Sequence, residues 1–466
     1  MGNFKDMKVL IMGLGLNGGG VGSAKFFAQH EAQVRVTDLK QEIDLKLSIN
    51  ELKEFRNIEY SLGGHKNEDF SWADLIIKNP GVKPNNPYLN LSNKLGKKVE
   101  QDMGIFLQFV KPSQLIGITG TKGKSTTASL IYEVLKSSGK KVILAGNIGK
   151  SVLDCIDLVK EDSLVILELS SFQLEAFGSH KISPHWAVIT NIYPDHLNYY
   201  KNMDEYIAAK KIIGLYQAES DFLFINSENE EINKHTFLEG LHGKKIFYST
   251  SDLPARNASH SDAGGPKDFQ PTLKGNHNLS NIAGAHAVGN LFNINSDQML
   301  KSLTDFSGVP FRMELIKTWN GPTRNASQSV AGGVKIINDT TATNPDAAIQ
   351  SIKTFPNSIL ICGGMNKRMN YKELAEVIKQ YVKEVFFIEG DATNAILRSL
   401  QAKRDYLKIH GPYNNLESLL TDVKKVSESG DTILFSPGAT SFNLFQNEFD
   451  RGRKFNEAVQ KVFLDD

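Results

Sequence analysis

Gln114-Leu-Ile-Gly-Ile-Thr-Gly-Thr-Lys-Gly-Lys-Ser-Thr126 is the stretch from which the rest of the chain is read. A short β-branched run ends in a glycine-rich turn. The turn opens a segment whose apolar positions Ala128, Leu130, Ile131, Val134 and Leu135 share one helical face. Strand, turn and helix in that order aim successive backbone N–H groups and the positive helix end at one point, where phosphate oxygens are stabilised. Gly120, Thr121, Lys122, Gly123, Lys124, Ser125 and Thr126 form the candidate cradle. Lys124 would reach the terminal phosphates of a nucleotide, and the Ser125 hydroxyl would hold Mg²⁺. The spacing departs from the common P-loop, which has a glycine where this chain has Ile118.

Working outward, Gly139 ends that helix and Lys141-Val-Ile-Leu144 reads as the next strand. Upstream, the strand Lys8-Val-Leu-Ile-Met12 leads through a glycine turn into a helix near Val21 to His30 and then the strand Gln33 to Thr37. Downstream, strands at Val334–Ile337, Ser358–Ile361, Val385–Ile388 and Thr432–Phe435 alternate with helical segments such as Tyr371–Tyr381 and Leu416–Val426. Alternation of this kind predicts parallel sheets flanked by helices. The expected fold is α/β in three domains: Rossmann-like over 1–111, a central P-loop-type ATPase domain with a mainly parallel sheet over 112–308, and Rossmann-like over 309–466. The boundaries are placed near Lys111-Pro-Ser113 and Ser307-Gly-Val-Pro310.

A chain of 466 residues exceeds one ordinary core, and 40% hydrophobic with 23% charged residues is a globular composition. No apolar run approaches the ~18 residues of a membrane helix, and Met1 to Val9 lacks the apolar region of a secretory signal. Cys155 and Cys362 are the only cysteines, which suits a reducing compartment; the expected location is cytoplasmic, without membrane insertion. A net charge of +1 gives no field to recruit nucleic acid, so any phosphate binding is local. The stretches 254–270 and 321–333 read as surface loops and are given no chemistry. Their Asn257-Ala-Ser and Asn325-Ala-Ser acceptor patterns are chance matches in a chain without a signal.

Beyond the cradle, Gly13-Leu-Gly-Leu-Asn-Gly18 follows a strand and opens a helix, with Asp38 at the next strand end. The spacing is that of a dinucleotide fingerprint, but its physical content fits any nucleotide diphosphate: NAD is one reading and a nucleotide-binding regulator another. Glu168 ends the strand Leu164–Leu167 and precedes Ser170-Ser-Phe-Gln173, while Val188–Asn191 leads into Asp195-His196; both edges face the ligand side of a parallel sheet. A lone histidine is more often structural, and the helical pair Lys210-Lys211 more often a solvated face. Gly275-Asn-His-Asn278 and Asn281 form an amide-rich turn suited to a purine or ribose. Arg312 and Asp339 are the charged groups near the second boundary.

In this order, over nearly the whole chain, the motifs resemble the Mur ligase family, and within it the branch that adds D-glutamate. The family's Gly-Thr-x-Gly-Lys-Ser loop is matched by Gly120 to Ser125, its Gly-Asn-Ile-Gly turn by Gly146 to Gly149, and the branch's Leu-Glu-Leu-Ser-Ser-Phe-Gln-Leu-Glu by Leu167 to Glu175. The resemblance implies an ADP-forming ligase of the cytoplasm that uses ATP and two Mg²⁺ ions to activate UDP-N-acetylmuramoyl-L-alanine as an acyl phosphate and join it to D-glutamate, acting as a monomer. Lys124, Glu168, His196 and Lys210 take the catalytic roles, with Lys210 carbamylated and Ser125, Glu168, His196 and Lys210 as metal ligands. The Gly120 loop, Asn278, Asn281, Arg312 and Asp339 contact ATP. Gly13, Gly15, Leu16, Asn17, Gly18, Asp38, Asn147 and Ser170 contact the sugar nucleotide. Thr343, Lys367, Ser441 and Phe449 contact the amino acid. Two departures bear on the amino acid: Thr341 stands where the family has lysine, and Phe449 lies one residue beyond the family's aromatic, with Glu448 in its slot. Related ligases with a different amino acid or a different acceptor are the alternative.

Overall fold

The computed structural model describes the chain except residues 1–3, 16–17, 148–150, 197–198, 255–268, 270, 274–275, 322–332, 367–368, 401–406, 442–443, 446 and 465–466. Three sheets follow one another along the chain. The first is built from β1 (Lys8–Met12), β2 (Gln33–Asp38), β3 (Ile58–Leu62), β4 (Leu75–Lys78) and β5 (Lys98–Glu100) in the order β3-β2-β1-β4-β5, all parallel. The second contains β6 (Leu115–Thr119), β7 (Val142–Gly146), β8 (Leu164–Glu168), β9 (Trp186–Ile189), β10 (Phe222–Asn226) and β11 (Lys244–Tyr248) in the order β11-β10-β9-β6-β8-β7, again all parallel. The third contains β12 (Glu314–Trp319), β13 (Val334–Asn338), β14 (Ser358–Gly363), β15 (Val382–Ile388), β16 (Lys408–Tyr413) and β17 (Thr432–Phe435) in the order β12-β13-β17-β14-β15-β16.

The predicted strands are where the sequence placed them, since a strand buried on both faces is a continuous apolar run. β6 is such a strand, with all five residues buried. Two details differ. Thr190 and Asn191 lie beyond β9, whose pairing ends at Ile189. The third sheet also carries an antiparallel edge strand, β12, paired with β13 through an irregular register between Leu315 and Lys317. Its burial pattern, mostly half-exposed, leaves no apolar run to read.

The chain divides into two compact units, Met1–Phe306 and Ser307–Asp466. The first two sheets belong to the same unit because one apolar cluster runs through both. Val9, Ile11, Phe26 and Phe27 beneath the first sheet join Met103 and Phe106, then Val152 and Leu153, then Val165, Leu174 and Phe177 of the second. Gly22 makes the close approach possible, since a Cβ there would lie 2.3 Å from that of Ser151. In the second unit, two apolar clusters cover opposite faces of one sheet, one around Leu360, Leu374 and Phe387 and the other around Ile361, Phe386 and Phe455.

Candidate active site

In the second sheet β6 lies between β8 and β9; the chain fills β7 and β8 on one side of β6 and then crosses to β9 and β10 on the other, so a crevice opens at the carboxyl ends of β6, β8 and β9. The Gly120 turn occupies it. Gly120 has φ 152°, and a Cβ on it would fall 1.9 Å from Thr190 Oγ1. Gly123, at φ 83°, caps the helix Lys124–Ser137 and would meet Asn281 Oδ1 at 2.2 Å. Glycine is required at both points for backbone conformation and for space. Thr190 and Asn191, just past β9, staple the turn: Thr190 Oγ1 donates to Lys122 O at 2.7 Å, Thr121 N donates to Asn191 O at 2.9 Å, and Lys122 N donates to Asn191 Oδ1 at 2.8 Å. The cradle is therefore held in shape by the chain's own hydrogen bonds.

Lys124 folds back over this turn, donating to Gly120 O and Thr121 O at 3.0 Å each. Ser125 and Thr126 are buried in the first turn of the helix. Across β6, Glu168 ends β8 beside Ile118 and is 2% exposed. Its Oε1 accepts from Asn147 Nδ2 at 3.2 Å, but Oε2 is buried without a hydrogen-bond partner among the described residues. A buried carboxylate oxygen left unpaired is costly unless a cation or donor joins it.

On the β9 side, His196 sits in a left-handed turn, φ 53°, whose carbonyl accepts from Tyr199 N and Tyr200 N. Its imidazole lies 3.6 Å from Asp195, and burial, with Lys210 and Lys124 nearby, holds its pKa below the usual histidine value against the pull of Asp195. A neutral imidazole is the form that ligates metal. The helix Met203–Leu215 places Tyr206 and Lys210 four residues apart on its buried face. Tyr206 OH lies 3.0 Å from Thr121 Oγ1. Lys210, 2% exposed, donates to Gly120 O at 2.8 Å, and burial together with the Lys124 charge brings its pKa down to about 6.

The structure thus gathers the Gly120 loop, Lys124, Ser125, Glu168, Asn147, His196 and Lys210 at one sheet edge. Asn281 joins them from the helix Asn276–Leu291: its Oδ1 accepts from Thr127 Oγ1 at 3.3 Å and its Nδ2 donates to Asn278 Oδ1 at 3.3 Å. Ser170 caps the helix Ser171–His180, reciprocally with Gln173. Among the described residues no three His, Cys, Asp or Glu side chains make a metal-holding group. The donors that fit a hard cation here are the free Glu168 oxygen, the Ser125 hydroxyl and the oxygens of a bound phosphate.

At the first sheet, Gly13, Gly15 and Gly18 take positive φ values of 95°, 63° and 82°. Asp38 is buried and committed to the turn: Oδ2 accepts from Gly15 N at 3.0 Å and Oδ1 from Lys40 N at 2.9 Å. Leu16 and Asn17 lie outside the described residues.

In the second unit, Asp339 follows β13, 3% exposed, with Oδ2 accepting from Ser351 and Ser436 and Oδ1 from Met313 N. Burial pushes its pKa up to about 6. Arg312 is exposed and lies close enough to stabilise the Asp339 charge. Thr343 follows in the same loop, Ser441 Oγ is buried beyond β17 without a partner among the described residues, and the Phe449 ring sits 6.3 Å from that of Phe311. Lys367 lies outside the described residues. Sequence reading missed Arg451: 1% exposed, it donates from Nε to Thr340 Oγ1 at 2.8 Å, from Nη2 to Thr340 O at 2.8 Å and from Nη1 to Ala439 O at 3.0 Å. It ties together the loops that carry Thr343 and Ser441.

Residues 7–100 match the family model of the Mur ligase MurD-like N-terminal domain, 118–289 the Mur ligase middle domain and 324–438 the Mur ligase glutamate ligase domain. The chain belongs to the Mur ligase family. It is 37% identical over 472 residues to the UDP-N-acetylmuramoylalanine--D-glutamate ligase of Borreliella afzelii, covering 98% of each chain. The protein of the same name from Roseiflexus sp. is 34% identical over 471 residues, covering 97% of this chain and 98% of that one. Among solved Mur ligases, UDP-N-acetylmuramate-alanine ligase from Thermotoga maritima shares the fold, with a TM-score of 0.59 at 19% identity, covering 98% of this chain and 99% of that one. Like the Mur ligases at large, the chain is an ATP-dependent, ADP-forming ligase with three α/β domains, and it uses Mg²⁺. The dinucleotide reading of the Gly13 turn falls with that membership, since a glycine turn serves any diphosphate.

Proposed function

We propose that this ligase joins D-glutamate to UDP-N-acetylmuramoyl-L-alanine in peptidoglycan precursor synthesis. The observation that carries the chemistry is the convergence at one sheet edge of a stapled phosphate cradle, the free Glu168 oxygen and the desolvated Lys210. The substrates follow the names of relatives similar over nearly the full length. The three-part division at 1–111, 112–308 and 309–466 assigns the sugar nucleotide to the first part, the ATP phosphates to the second and the amino acid to the third.

Backbone amides of Gly120 to Thr126 would hold the phosphates, and Lys124 would leave its two carbonyl acceptors to meet the terminal phosphate. Ser125 and Glu168 would hold one Mg²⁺, and His196 with carbamylated Lys210 a second; bound there, the ions offset phosphate charge so that a carboxylate can approach. Lys210 meets the requirement for carbamylation, since its depressed pKa leaves a neutral amine at neutral pH. Asn278, Asn281, Arg312 and Asp339 are assigned to ATP. Gly13, Gly15, Leu16, Asn17, Gly18, Asp38, Asn147 and Ser170 are assigned to the sugar nucleotide, Asp38 by shaping the turn. In the acceptor, a carboxylate oxygen attacks the γ-phosphorus and the bond to the bridging oxygen of ADP breaks. The amine of the amino acid then attacks the acyl carbon, losing a proton as phosphate leaves. Thr343, Lys367, Ser441 and Phe449 would hold that amino acid; the Ser441 hydroxyl, without a partner among the described residues, could donate to it.

No helix of the described residues is long and apolar enough to cross a membrane. We place the enzyme in the cytoplasm, where its ATP is, as a monomer. The test is phosphate release that requires both UDP-N-acetylmuramoyl-L-alanine and D-glutamate, with the product identified by mass. Equal turnover with L-glutamate or D-alanine would overturn the choice of amino acid.

A further inference from the structure

We infer that Lys78 contacts the phosphates of the sugar nucleotide and that Glu175 is its partner until that ligand arrives; the inference rests on the assignment of the sugar nucleotide to the first sheet. Lys78 is the last residue of β4 and pairs in register with Met12, the residue before Gly13. It lines one hollow with Gly13, Gly19 and Gly20, the glycine turn and the first turn of the helix Gly19–Gln29. Among the described residues that helix has no side-chain cap and no acidic residue in its first turn, so no described side chain claims its leading amides.

A diphosphate carries more charge than backbone amides alone offset, and Lys78 is the cationic residue among those lining the hollow. Its side chain is 12% exposed, and burial is the largest influence on its pKa, which is lowered despite Glu175 and Glu100. Glu175 compensates it loosely. The Nζ to Oε2 distance is 3.5 Å, longer than a good charge-assisted hydrogen bond, and the other Glu175 oxygen is taken by Tyr199 OH at 3.0 Å. Asp102 lines the same hollow, but its Oδ1 is occupied by Met103 N at 2.8 Å. The other Lys78 hydrogen bond, to Val82 O at 3.4 Å, is also long and goes to a neutral carbonyl, so the ammonium beside the helix start gains from a second anion, and a phosphate supplies one.

Calorimetric titration of the full-length protein with UDP, and competition with uridine, which lacks phosphate, tests this. Lys78→Met should weaken UDP by about ten- to hundredfold and leave uridine unchanged, and Lys78→Arg should recover most of the loss. Glu175→Gln should keep or improve UDP affinity, since it frees the ammonium. If Lys78→Met binds UDP as the wild type does, or if Lys78→Met and Glu175→Gln lose affinity alike, as the two ends of a strut would, the inference is overturned. Wild-type protein that does not bind UDP at all would instead overturn the assignment of the first sheet.

Discussion

Lys210 and Lys124 donate to the same carbonyl oxygen, that of Gly120, at 2.8 and 3.0 Å. Two ammonium groups on one acceptor repel each other, and the buried one yields. Lys210 has its pKa brought down to about 6, by burial first and by the Lys124 charge second, so at neutral pH it is mostly the free amine. A carbamate there would reverse the sign of the charge and turn the repulsion into an attraction for Lys124 and for a divalent cation.

Replacing Lys210 by alanine should therefore remove most phosphate release, and short-chain carboxylic acids, entering the vacated space as oxygen ligands, should restore part of it. Lys211→Ala should change little, since Lys211 reaches out to Thr236 O at 3.3 Å on the exposed side. A fully active Lys210→Arg, which keeps the positive charge and cannot form the carbamate, would sink the modified-lysine reading.

Lys124→Ala should reduce kcat by at least about a hundredfold, the scale of a lost transition-state charge contact of roughly 3 kcal/mol. UDP affinity should stay within about twofold, because the Gly13 turn belongs to a different sheet; the marker is the ratio of the two effects rather than either alone. Parallel loss of both functions would count against the division of labour between the sheets.

Much of the candidate cradle was legible because its residues are local in sequence: Gly120, Gly123, Lys124 and Ser125 fall within one turn, and backbone geometry forces glycine at two of them. Glu168 was legible as a strand end of a parallel sheet, and His196 as part of the turn that follows one. The staple by Thr190 and Asn191 was not, because those residues read as the end of a strand and their partners lie about seventy positions away, as with Thr190 to Lys122. Arg451 was illegible for the same reason: an arginine in an amphipathic helix reads as solvated, and Thr340, 111 positions away, fixes its burial. The β12 edge was missed because an edge strand facing solvent lacks the apolar run of the interior strands.

Arg451 should tolerate no substitution. Lysine cannot reproduce three donors in a fixed fork, and methionine leaves Thr340 O and Ala439 O without their donors. Loss of roughly 2–4 kcal/mol is expected for either, read as a fall in thermal midpoint of about 5–10 °C. With the loops of Thr343 and Ser441 loosened, KM for the amino acid should rise more than KM for ATP. An Arg451→Lys protein that melts like the wild type would show that the fork is not needed.

Asp102 supplies a pH signature of stability. It is almost fully buried at the start of a short helix, with Oδ1 accepting from Met103 N at 2.8 Å, and Ser151 also stabilises its charged form. Burial, aided by the nearby Asp154 charge, nevertheless raises its pKa to about 6 from the 3.8 of an exposed aspartate. Because the folded value is the higher one, the native state binds the proton more tightly. Between about pH 4 and pH 6 the folded chain holds more protons than the unfolded one, so stability from this group falls as pH rises and levels off above pH 6. The whole effect is on the order of 3 kcal/mol, from roughly two pKa units at 1.36 kcal/mol each. Asp102→Asn removes the titration while keeping a carbonyl oxygen for Met103 N. Relative to wild type, the variant should therefore gain thermal midpoint on going from about pH 4.5 to about pH 7.5, whatever its absolute stability. A difference in melting that is the same at both pH values would mean that the Asp102 carboxyl is ionised throughout, and the buried-acid account would be wrong.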